Sequence, residues 1–389
     1  MAEGGERARY SPPFFLAMLV SFLFFASMHL LAWTLPLYLS STFSSATAVG
    51  LIIGVMAISA VLLRPWAGEW ADRYGRKLVI LLGAGCFAVA PLFYMAGDSV
   101  PALVLGRLIH GMGICLFTTG YGSLIPDLAA PGRRGEAIGF ASIGAPISLM
   151  IIPRLGSLLQ ERLGFPPLFV ASAAAALAAL CVALTLPKGN CQQATSAPSI
   201  PFRQVVRVHR LWAALIAVAA TAVAYGAIAS FMPLFAQDRG IAQGSYFFLS
   251  YGLALVVASA FVGRLSDRWG RARVIVPGML GVAVTLAALS QVDRLAPYLL
   301  LAFACGFFSG AAKVGLDAFC VDCVPLEGRG AAVSLEFGIN DLGIGLGGWA
   351  LGAVADAAGY GGMFIVMAGV ILIGLAAFAL LLRRNGSAA

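Results

Sequence analysis

The sequence predicts an all-α integral membrane protein with twelve transmembrane helices in two six-helix repeats. Three observations support this fold class: an apolar composition, twelve apolar runs of membrane-spanning length, and a charged block that occurs once in each half. Of the 389 residues, 60% are hydrophobic and 11% are charged, and the mean hydropathy is +0.93. Soluble domains carry about 25% charged residues, so lipid is the expected surrounding of most of this chain.

Each predicted span is a run of about 20 mostly apolar residues, the length that a helix needs to cross the hydrocarbon core. The first run is too long for a signal peptide and no small-x-small cleavage site closes it, so we expect a retained span. The glycine-rich stretch GIGLGGWALG at 343–352 is typical of close helix packing rather than of a phosphate-binding loop. The twelve runs lie at 14–39, 46–66, 78–97, 101–125, 136–158, 167–186, 211–236, 245–264, 274–291, 296–319, 330–355 and 361–382.

The distribution of basic residues predicts the topology. With both termini in the cytoplasm, 19 of the 25 Lys and Arg residues lie at cytoplasmic span ends, three lie in the opposite loops and three lie inside spans. This asymmetry follows the positive-inside rule. We therefore expect a multi-pass protein of the bacterial inner membrane with N- and C-termini cytoplasmic. The net charge of +8 is explained by topology, and no nucleic-acid partner is expected.

A shift of 195 residues superposes the two halves of the chain, because GEWADRYGRK at 68–77 then falls on GRLSDRWGRA at 263–272. The block follows the second span of each half, so six spans make one repeat. The polar segment between the halves carries Pro, Ser and Gln, which is typical of a linker. We predict an N-terminal six-helix bundle at 1–186, a cytoplasmic linker at 187–210 and a C-terminal six-helix bundle at 211–389. Two parallel repeats of this kind are a common plan among secondary transporters.

The block at 68–77 resembles the G-x-x-x-D-R-x-G-R-[RK] motif between the second and third spans of the major facilitator superfamily. The span count and the repeat extend the resemblance to essentially the whole chain. It implies a substrate site at mid-membrane between two rocking halves, and a charge network that locks the halves on the cytoplasmic face. The alternative is that these charges only anchor the topology. The residues assigned to gating are Gly68, Asp72, Arg73, Gly75 and Arg76, with Asp267, Arg268 and Arg271 in the second copy.

The same block predicts local geometry. Gly68 and Gly75 suit a tight turn with permissive dihedral angles. Asp72 is predicted near the start of the third span, where exposed amides and the positive end of the helix dipole favour a carboxylate.

Ionisable residues inside the membrane are few, and each costs about 2.5 to 3.5 kcal/mol on insertion scales, so each needs a partner or a function. Arg107 and His110 lie in GRLIHGMG, which resembles the superfamily's span-four motif R-x-x-Q-G-x-G. In proton-coupled members this Arg is linked to proton transfer or to substrate. The alternatives are a snorkelling Arg107 and a neutral, hydrogen-bonded His110. The candidates for proton coupling or substrate binding are Arg107, His110, Arg154, Lys313, Asp317, Glu336 and Asp341.

The candidate acids lie in spans ten and eleven. Lys313 and Asp317 are spaced i, i+4 and pair along one side of span ten, either neutralising each other or facing the cavity that the resemblance places there. Glu336 and Asp341 are turned by about 140 degrees from each other, so we expect one to face the cavity and the other to pack. An acid whose basic partner moves away as the halves rock becomes a proton acceptor. Span one, where many drug antiporters of the superfamily carry an acid, offers only His29.

Span five contains half of the superfamily's antiporter pattern, G-x8-G-x3-G-P-x2-G-G. This partial match favours export. Arg154 in the same segment either contacts an anionic group of the substrate or reaches the outer interface. The pattern retains Gly139, Pro153 and Gly156 and has Ser148, Ile152 and Ser157 in place of three glycines.

The predicted function is export of a small organic molecule in exchange for protons, by a monomer in the lipid bilayer that uses the proton gradient and no cofactor. The alternatives are proton-coupled uptake or facilitated diffusion of a sugar or organic anion and, from a different class, a transport-dead scaffold or sensor. Cys320 and Cys323 form a C-x-x-C, but no second Cys or His cluster completes a metal site. The sequence has no Ser-His-Asp arrangement or nucleotide loop, so no enzyme is expected.

Overall fold

The computed structural model describes residues 10–97, 99–129, 134–187 and 202–386. Over these residues the chain is helical, with one 3-10 turn at Leu326–Gly328 and no strand. The helices are α1 (Pro12–Thr42), α2 (Ala46–Tyr74), α3 (Arg76–Tyr94), α4 (Val100–Leu128), α5 (Arg134–Ala141), α6 (Gly144–Leu163), α7 (Phe165–Ala183), α8 (Phe202–Val206), α9 (His209–Asp238), α10 (Tyr246–Trp269), α11 (Ala272–Leu289), α12 (Leu295–Asp322) and α13 (Arg329–Gly386).

Eleven helices within the described ranges are long and apolar enough to span a membrane, and the last of them accounts for two crossings. As one straight rod the 55 residues from Arg329 to Arg383 would extend about 80 Å, against a hydrocarbon core of about 30 Å. Gly359 interrupts α13 with φ 70° and ψ 171°, so the chain turns back there. The fifth span is shared by α5 and α6. The predicted fold class of twelve transmembrane helices is confirmed.

The turns between the helices gather at two ends of the bundle. We call one the basic end, because its turns at Gly75 and Gly270 adjoin the two charged blocks. The far end holds the α1–α2 turn at 43–45, the α9–α10 turn at 239–245 and the bend at Gly359. Gly75 and Gly270 adopt φ values of 95° and 91°, which residues with a Cβ rarely adopt. The predicted role of Gly75 in a tight turn is confirmed.

Most of the charged block at 68–77 is helix, which corrects two predictions. Gly68 lies inside α2, where an added Cβ would meet nothing within 4 Å, so its predicted role in the turn is wrong. Asp72 belongs to the last turn of α2 and not to the start of α3, which begins at Arg76. The apolar run ends before the helix does, because charged residues continue a helix readily once it leaves the membrane. The helix stops only at Gly75.

Each half packs mainly on itself. In the first half α1 packs on α6 and α7, and α4 packs on α2 and α3; in the second half α9 packs on α13, and α12 packs on α10 and α11. The halves are joined mainly by α2 with α13 and α6 with α10, and to a lesser extent by α1 and α2 with α9. Residues 188–201 of the predicted linker lie outside the described residues, and the domain boundaries stay a prediction.

Small residues allow α2 and α13 to approach closely between the halves. A Cβ at Gly50 would collide with the carbonyl oxygen of Gly348, and a Cβ at Gly54 would approach that of Gly345. The backbones therefore touch with no side chain between them, which is the usual effect of glycine in membrane helix pairs. The interpretation of 343–352 as a packing segment is confirmed.

Candidate functional site

A cavity of about 160 Å³ lies between the two halves. Helices of both halves line it, mainly α1, α2 and α4 from the first half and α9 and α13 from the second. Its wall is mostly apolar and includes the aromatic side chains of Phe87, Tyr225 and Phe248. The charged and imidazole side chains in the wall are those of His29, Arg107, His110 and Asp341.

Arg107 and His110 lie one turn apart on α4 and both line the cavity. Arg107 Nη2 donates to the carbonyl oxygen of Ile53 on α2, at 2.7 Å. His110 Nδ1 is 2.8 Å from the hydroxyl oxygen of Tyr94 on α3. Among the described residues, the buried Arg107 Nε and His110 Nε2 atoms have no hydrogen-bond partner. The predicted pair therefore offers two unpartnered nitrogen atoms in the wall of one cavity.

His29 on α1 is a second buried histidine in the cavity wall. Its Nδ1 is 3.0 Å from Ser148 Oγ on α6, and the ring stacks on Phe25. Ser148 is one of the residues that replace glycine in the span-five pattern, so the hydroxyl that holds His29 was already visible as a departure from that pattern.

Asp341 lines the cavity and forms an ion pair with Arg64, so that α13 of the second half is tied to α2 of the first. The Arg64 guanidinium also lies 5.4 Å from the centre of the Phe337 ring. Both partners are largely buried, with 12% and 18% of their side chains exposed. The sequence does not reveal this role, because Arg64 is one of the 19 basic residues near cytoplasmic span ends and topology alone explains its position. The signal was its position two residues inside the apolar run at 46–66.

Lys313, Asp317 and Glu336 form a cluster between α12 and α13. Lys313 Nζ is 3.0 Å from Asp317 Oδ1 and 3.8 Å from Glu336 Oε1. Glu336 is buried, whereas Lys313 and Asp317 are about half exposed. The i, i+4 pairing of Lys313 with Asp317 is present as predicted, and Glu336 joins it. None of the three lines the cavity, so of the two span-eleven acids Asp341 lines the cavity and Glu336 packs.

Arg154 lies outside the cavity wall, at the far end of the α6–α10 contact. Its guanidinium is 4.9 Å from the centre of the Tyr246 ring, and Nη1 is 3.2 Å from Ser245 Oγ. Within α6 the same nitrogen is 3.3 Å from Glu161 Oε1. The structure thus places Arg154 in a contact between the halves, away from the other candidates.

The gating residues at the basic end pair within their own halves. Arg76 forms an ion pair with Asp127 at the end of α4. Arg271 forms ion pairs with Asp267 and with Asp322 at the end of α12, the latter at 2.9 Å. Asp127 and Asp322 are separated by the same 195 positions as the two blocks. Sequence reasoning missed both acids, although extending the comparison of the halves beyond the blocks would have found them.

Within the parts of the chain that the structure describes, Arg73 and Asp72 form no ion pair between the halves. The Arg73 guanidinium lies 5.4 Å from the ring centre of its neighbour Tyr74. Asp72, in the last turn of α2, is exposed to its surroundings. The first block therefore acts within the first half through Arg76.

Asp356 of α13 caps the N-terminus of α2 across the far end. Its carboxylate accepts from the amides of Ala46 and Thr47 at 2.7 and 2.9 Å, and from the hydroxyls of Ser45 and Thr47 at 2.6 Å each. A carboxylate at a helix N-terminus satisfies free amides and interacts favourably with the helix dipole. No sequence pattern predicts this contact, because its two sides are about 310 residues apart.

Comparison with known proteins places this arrangement in a family. The family model described as Major Facilitator Superfamily matches residues 17–250 and 242–389. The chain belongs to this superfamily. The resemblance that the charged block indicated is therefore confirmed.

Two relatives from bacteria are similar to part of the chain. Multidrug resistance protein 1 of Bacillus subtilis is 32% identical over 165 residues, which cover 42% of this chain and 42% of that protein. Quinolone resistance protein NorA of Staphylococcus aureus is 28% identical over 157 residues, 40% of each chain. The matched segment thus spans less than half the length of these relatives.

Solved structures match over nearly the whole chain. The nucleoside transporter NupG gives a TM-score of 0.79 at 15% identity and covers 95% of this chain and 99% of its own. A bacterial homologue of the human lysosomal transporter Spinster gives 0.80 at 19% identity, over 97% and 98%. At these identities the likeness shows the fold alone.

Membership of the superfamily makes the chain a multi-pass membrane transporter. Its surroundings are a lipid bilayer. The expectation that it is not an enzyme is confirmed by its membership of this superfamily.

Proposed function

We propose that the chain exports a small organic molecule in exchange for protons, with the proton gradient as the energy source and no cofactor. The basic end faces the cytoplasm of a bacterial cell, in agreement with the 19 of 25 basic residues at that end and the positive-inside rule. The cavity between the halves holds the cargo.

The cluster of Lys313, Asp317 and Glu336 is the observation that carries proton coupling. Two carboxylates share one ammonium group, so the cluster has a net charge of −1 with both acids ionised and becomes neutral when it binds one proton. Asp317 is the closer acid to Lys313, at 3.0 Å against 3.8 Å for Glu336. Glu336 is also buried, and a buried charge without full compensation is costly. Glu336 is therefore the acid that takes the proton.

Helix α13 connects the protonated acid to the contact between the halves. Glu336 and Asp341 lie on this helix, five residues apart, and Asp341 pairs with Arg64 of the first half. A proton on Glu336 weakens its attraction to Lys313 and leaves that base to Asp317. The position of α13 relative to α12 then changes, and with it the Asp341–Arg64 pair that resists separation of the halves.

Export is supported by the relatives and by the fifth span. Both similar bacterial proteins are named for resistance, one to multiple drugs and one to quinolones. Gly139, Pro153 and Gly156 retain half of the antiporter pattern. Gly156 packs against the backbone of Leu30 on α1, so this part of the pattern serves the contact between α6 and α1.

The test uses inside-out membrane vesicles that are acidified by respiration and report their internal pH with a fluorescent dye. Three probes are added in turn: a quinolone, a lipophilic cationic dye and a single-ring carboxylate. We expect at least one probe to release protons from vesicles that contain the wild type, and none to do so with Glu336→Gln. Glu327→Gln, which changes an exposed acid in the turn before α13, is the matched control and retains the response.

Transport of the responding probe into proteoliposomes then tests the coupling directly. Accumulation follows the direction and size of an imposed pH gradient if protons are exchanged. Accumulation that is indifferent to the gradient, together with an unchanged Glu336→Gln variant, contradicts the proposal.

A further inference from the structure

The cavity between the halves carries one positive charge that the described residues do not neutralise. No carboxylate within the described parts of the chain lies within ion-pair distance of Arg107, whose guanidinium donates to the backbone carbonyl of Ile53 and to the uncharged Tyr94 hydroxyl. Arg107 Nε is buried without a partner. Guanidinium does not lose its proton in proteins, so the charge is permanent. The Arg107 side chain is largely but not fully removed from its surroundings, and a charge in such a place without compensation is unfavourable, which makes this cavity a site for an anion.

The acid in the cavity wall does not supply the missing charge. Asp341 forms an ion pair with Arg64, so these two residues contribute no net charge. Asp341 also lies one turn of α13 before Gly345, which packs on Gly54 next to Ile53. One turn is about 5.4 Å along the helix axis, so Asp341 lies closer to the basic end than Arg107 does.

His110 adds a neutral donor next to Arg107. When the Tyr94 hydroxyl donates to His110 Nδ1, the hydrogen of the neutral ring lies on Nε2. This Nε2 is buried and without a partner among the residues described, and the side chain lines the cavity. An anion that accepts from both Arg107 and His110 satisfies two nitrogen atoms that the protein leaves unpaired. Charge-assisted hydrogen bonds of this kind are stronger than neutral ones.

The size and wall of the cavity limit the rest of the ligand. Its volume is about 160 Å³, and an apolar cavity of about 150 Å³ holds one benzene ring. Aromatic side chains line it from both halves, with Phe87 in the first and Tyr225 and Phe248 in the second. The chemistry that fits is one apolar ring and one negative charge.

We propose that the cavity binds a single-ring aromatic carboxylate, with Arg107 binding the carboxylate group and His110 donating a second hydrogen bond. This proposal rests on the proposed transport function in one respect: it takes the cavity to be the site that binds the transported molecule. A cationic cargo would bring a second positive charge to Arg107, and a neutral cargo would leave that charge unpaired.

The test is titration calorimetry on the purified full chain in detergent at neutral pH, with three ligands of similar shape: benzoate, benzamide and benzylammonium. We expect benzoate to bind at least about tenfold more tightly than benzamide, and benzylammonium to bind most weakly. Arg107→Gln lowers the affinity for benzoate by about ten- to a hundredfold and leaves that for benzamide within about twofold, because the lost interaction is with the charge. Arg107→Lys recovers part of the loss. 2-Naphthoate, which exceeds the cavity, binds at least about tenfold more weakly than benzoate.

Equal affinities for benzoate and benzamide, a preference for benzylammonium, no binding of any of the three, or an Arg107→Gln variant that binds benzoate like the wild type would each overturn the proposal. The three-ligand comparison on the wild type decides the matter even if Arg107→Gln does not fold. No pH gradient is present in the titration, so a negative binding result does not contradict the proposed proton coupling. A negative result in the vesicle experiment, in turn, does not contradict the binding of an aromatic carboxylate.

Discussion

The two ends of the helix bundle are held together in different ways. At the far end the contacts join the halves, since Asp356 caps α2 from α13 and Arg154 of α6 lies on Tyr246 of α10. At the basic end the ion pairs of Arg76 and Arg271 each stay within one half. The far end is thus closed by bonds that must break if it opens, whereas the basic-end pairs stiffen each half without tying it to the other. This arrangement fits a cavity that is shut from the far side.

The Arg64–Asp341 pair, which joins the halves between the two ends, carries the largest expected effect. Asp341→Asn leaves the Arg64 charge in a largely buried site, and loss of one partner of a buried pair costs about 3 kcal/mol. We expect the free energy of unfolding in mixed micelles to fall by that amount. The double variant with Arg64→Gln recovers at least half of the loss, because no unpaired charge then remains. A double variant that is as unstable as the sum of the two single ones would show that the pair contributes nothing.

The far-end cap carries the next effect. Asp356→Asn removes the charge that two amides and two hydroxyls of the α2 N-terminus share, a loss of about 1 to 2 kcal/mol. Because these bonds exist only when the far end is closed, the loss shifts the population towards the open far end by about five- to thirtyfold. Electron–electron distance measurements between labels at Leu163 and Gln291, exposed far-end positions in the two halves, report this as a longer distance.

The matched control for the cap is Asp293→Asn, a change at another exposed far-end acid of the second half. It leaves the distance distribution unchanged. If Asp356→Asn also leaves it unchanged, the cap does not hold the far end closed.

The fold could be predicted from the sequence because each transmembrane helix is determined by residues that are close together along the chain. Apolar runs locate the spans, basic residues favour one end, and the 195-residue shift reveals the repeat. Helix ends did not follow from the apolar runs: α2 continues through Gly68 and Asp72, because charged residues outside the membrane continue a helix until Gly75 stops it.

The site was only partly predictable, because its partners depend on helix rotation and on how the halves meet. Lys313 and Asp317 follow from i, i+4 spacing on one helix. Arg64 and Asp341, by contrast, are 277 residues apart and meet only through the packing of α2 on α13. No periodicity along the chain encodes such a meeting, and the same holds for the Asp356 cap.

The smallest effects on stability are expected from the two basic-end ion pairs, Arg76–Asp127 and Arg271–Asp322, which the repeat relates. Comparing them shows how far the two copies differ. Arg76 and Asp127 are both mostly buried, whereas Asp322 is half exposed and Arg271 keeps Asp267 as a second partner. We expect Asp127→Asn to lower the free energy of unfolding by about 1.5 kcal/mol and Asp322→Asn by about 0.5 kcal/mol, because exposed pairs contribute little.

Since both pairs lie within a half, neither change alters the far-end distance between Leu163 and Gln291. Equal losses in the two variants would mean that the copies are equivalent, and a change in the far-end distance would mean that the basic end, too, is coupled across the halves.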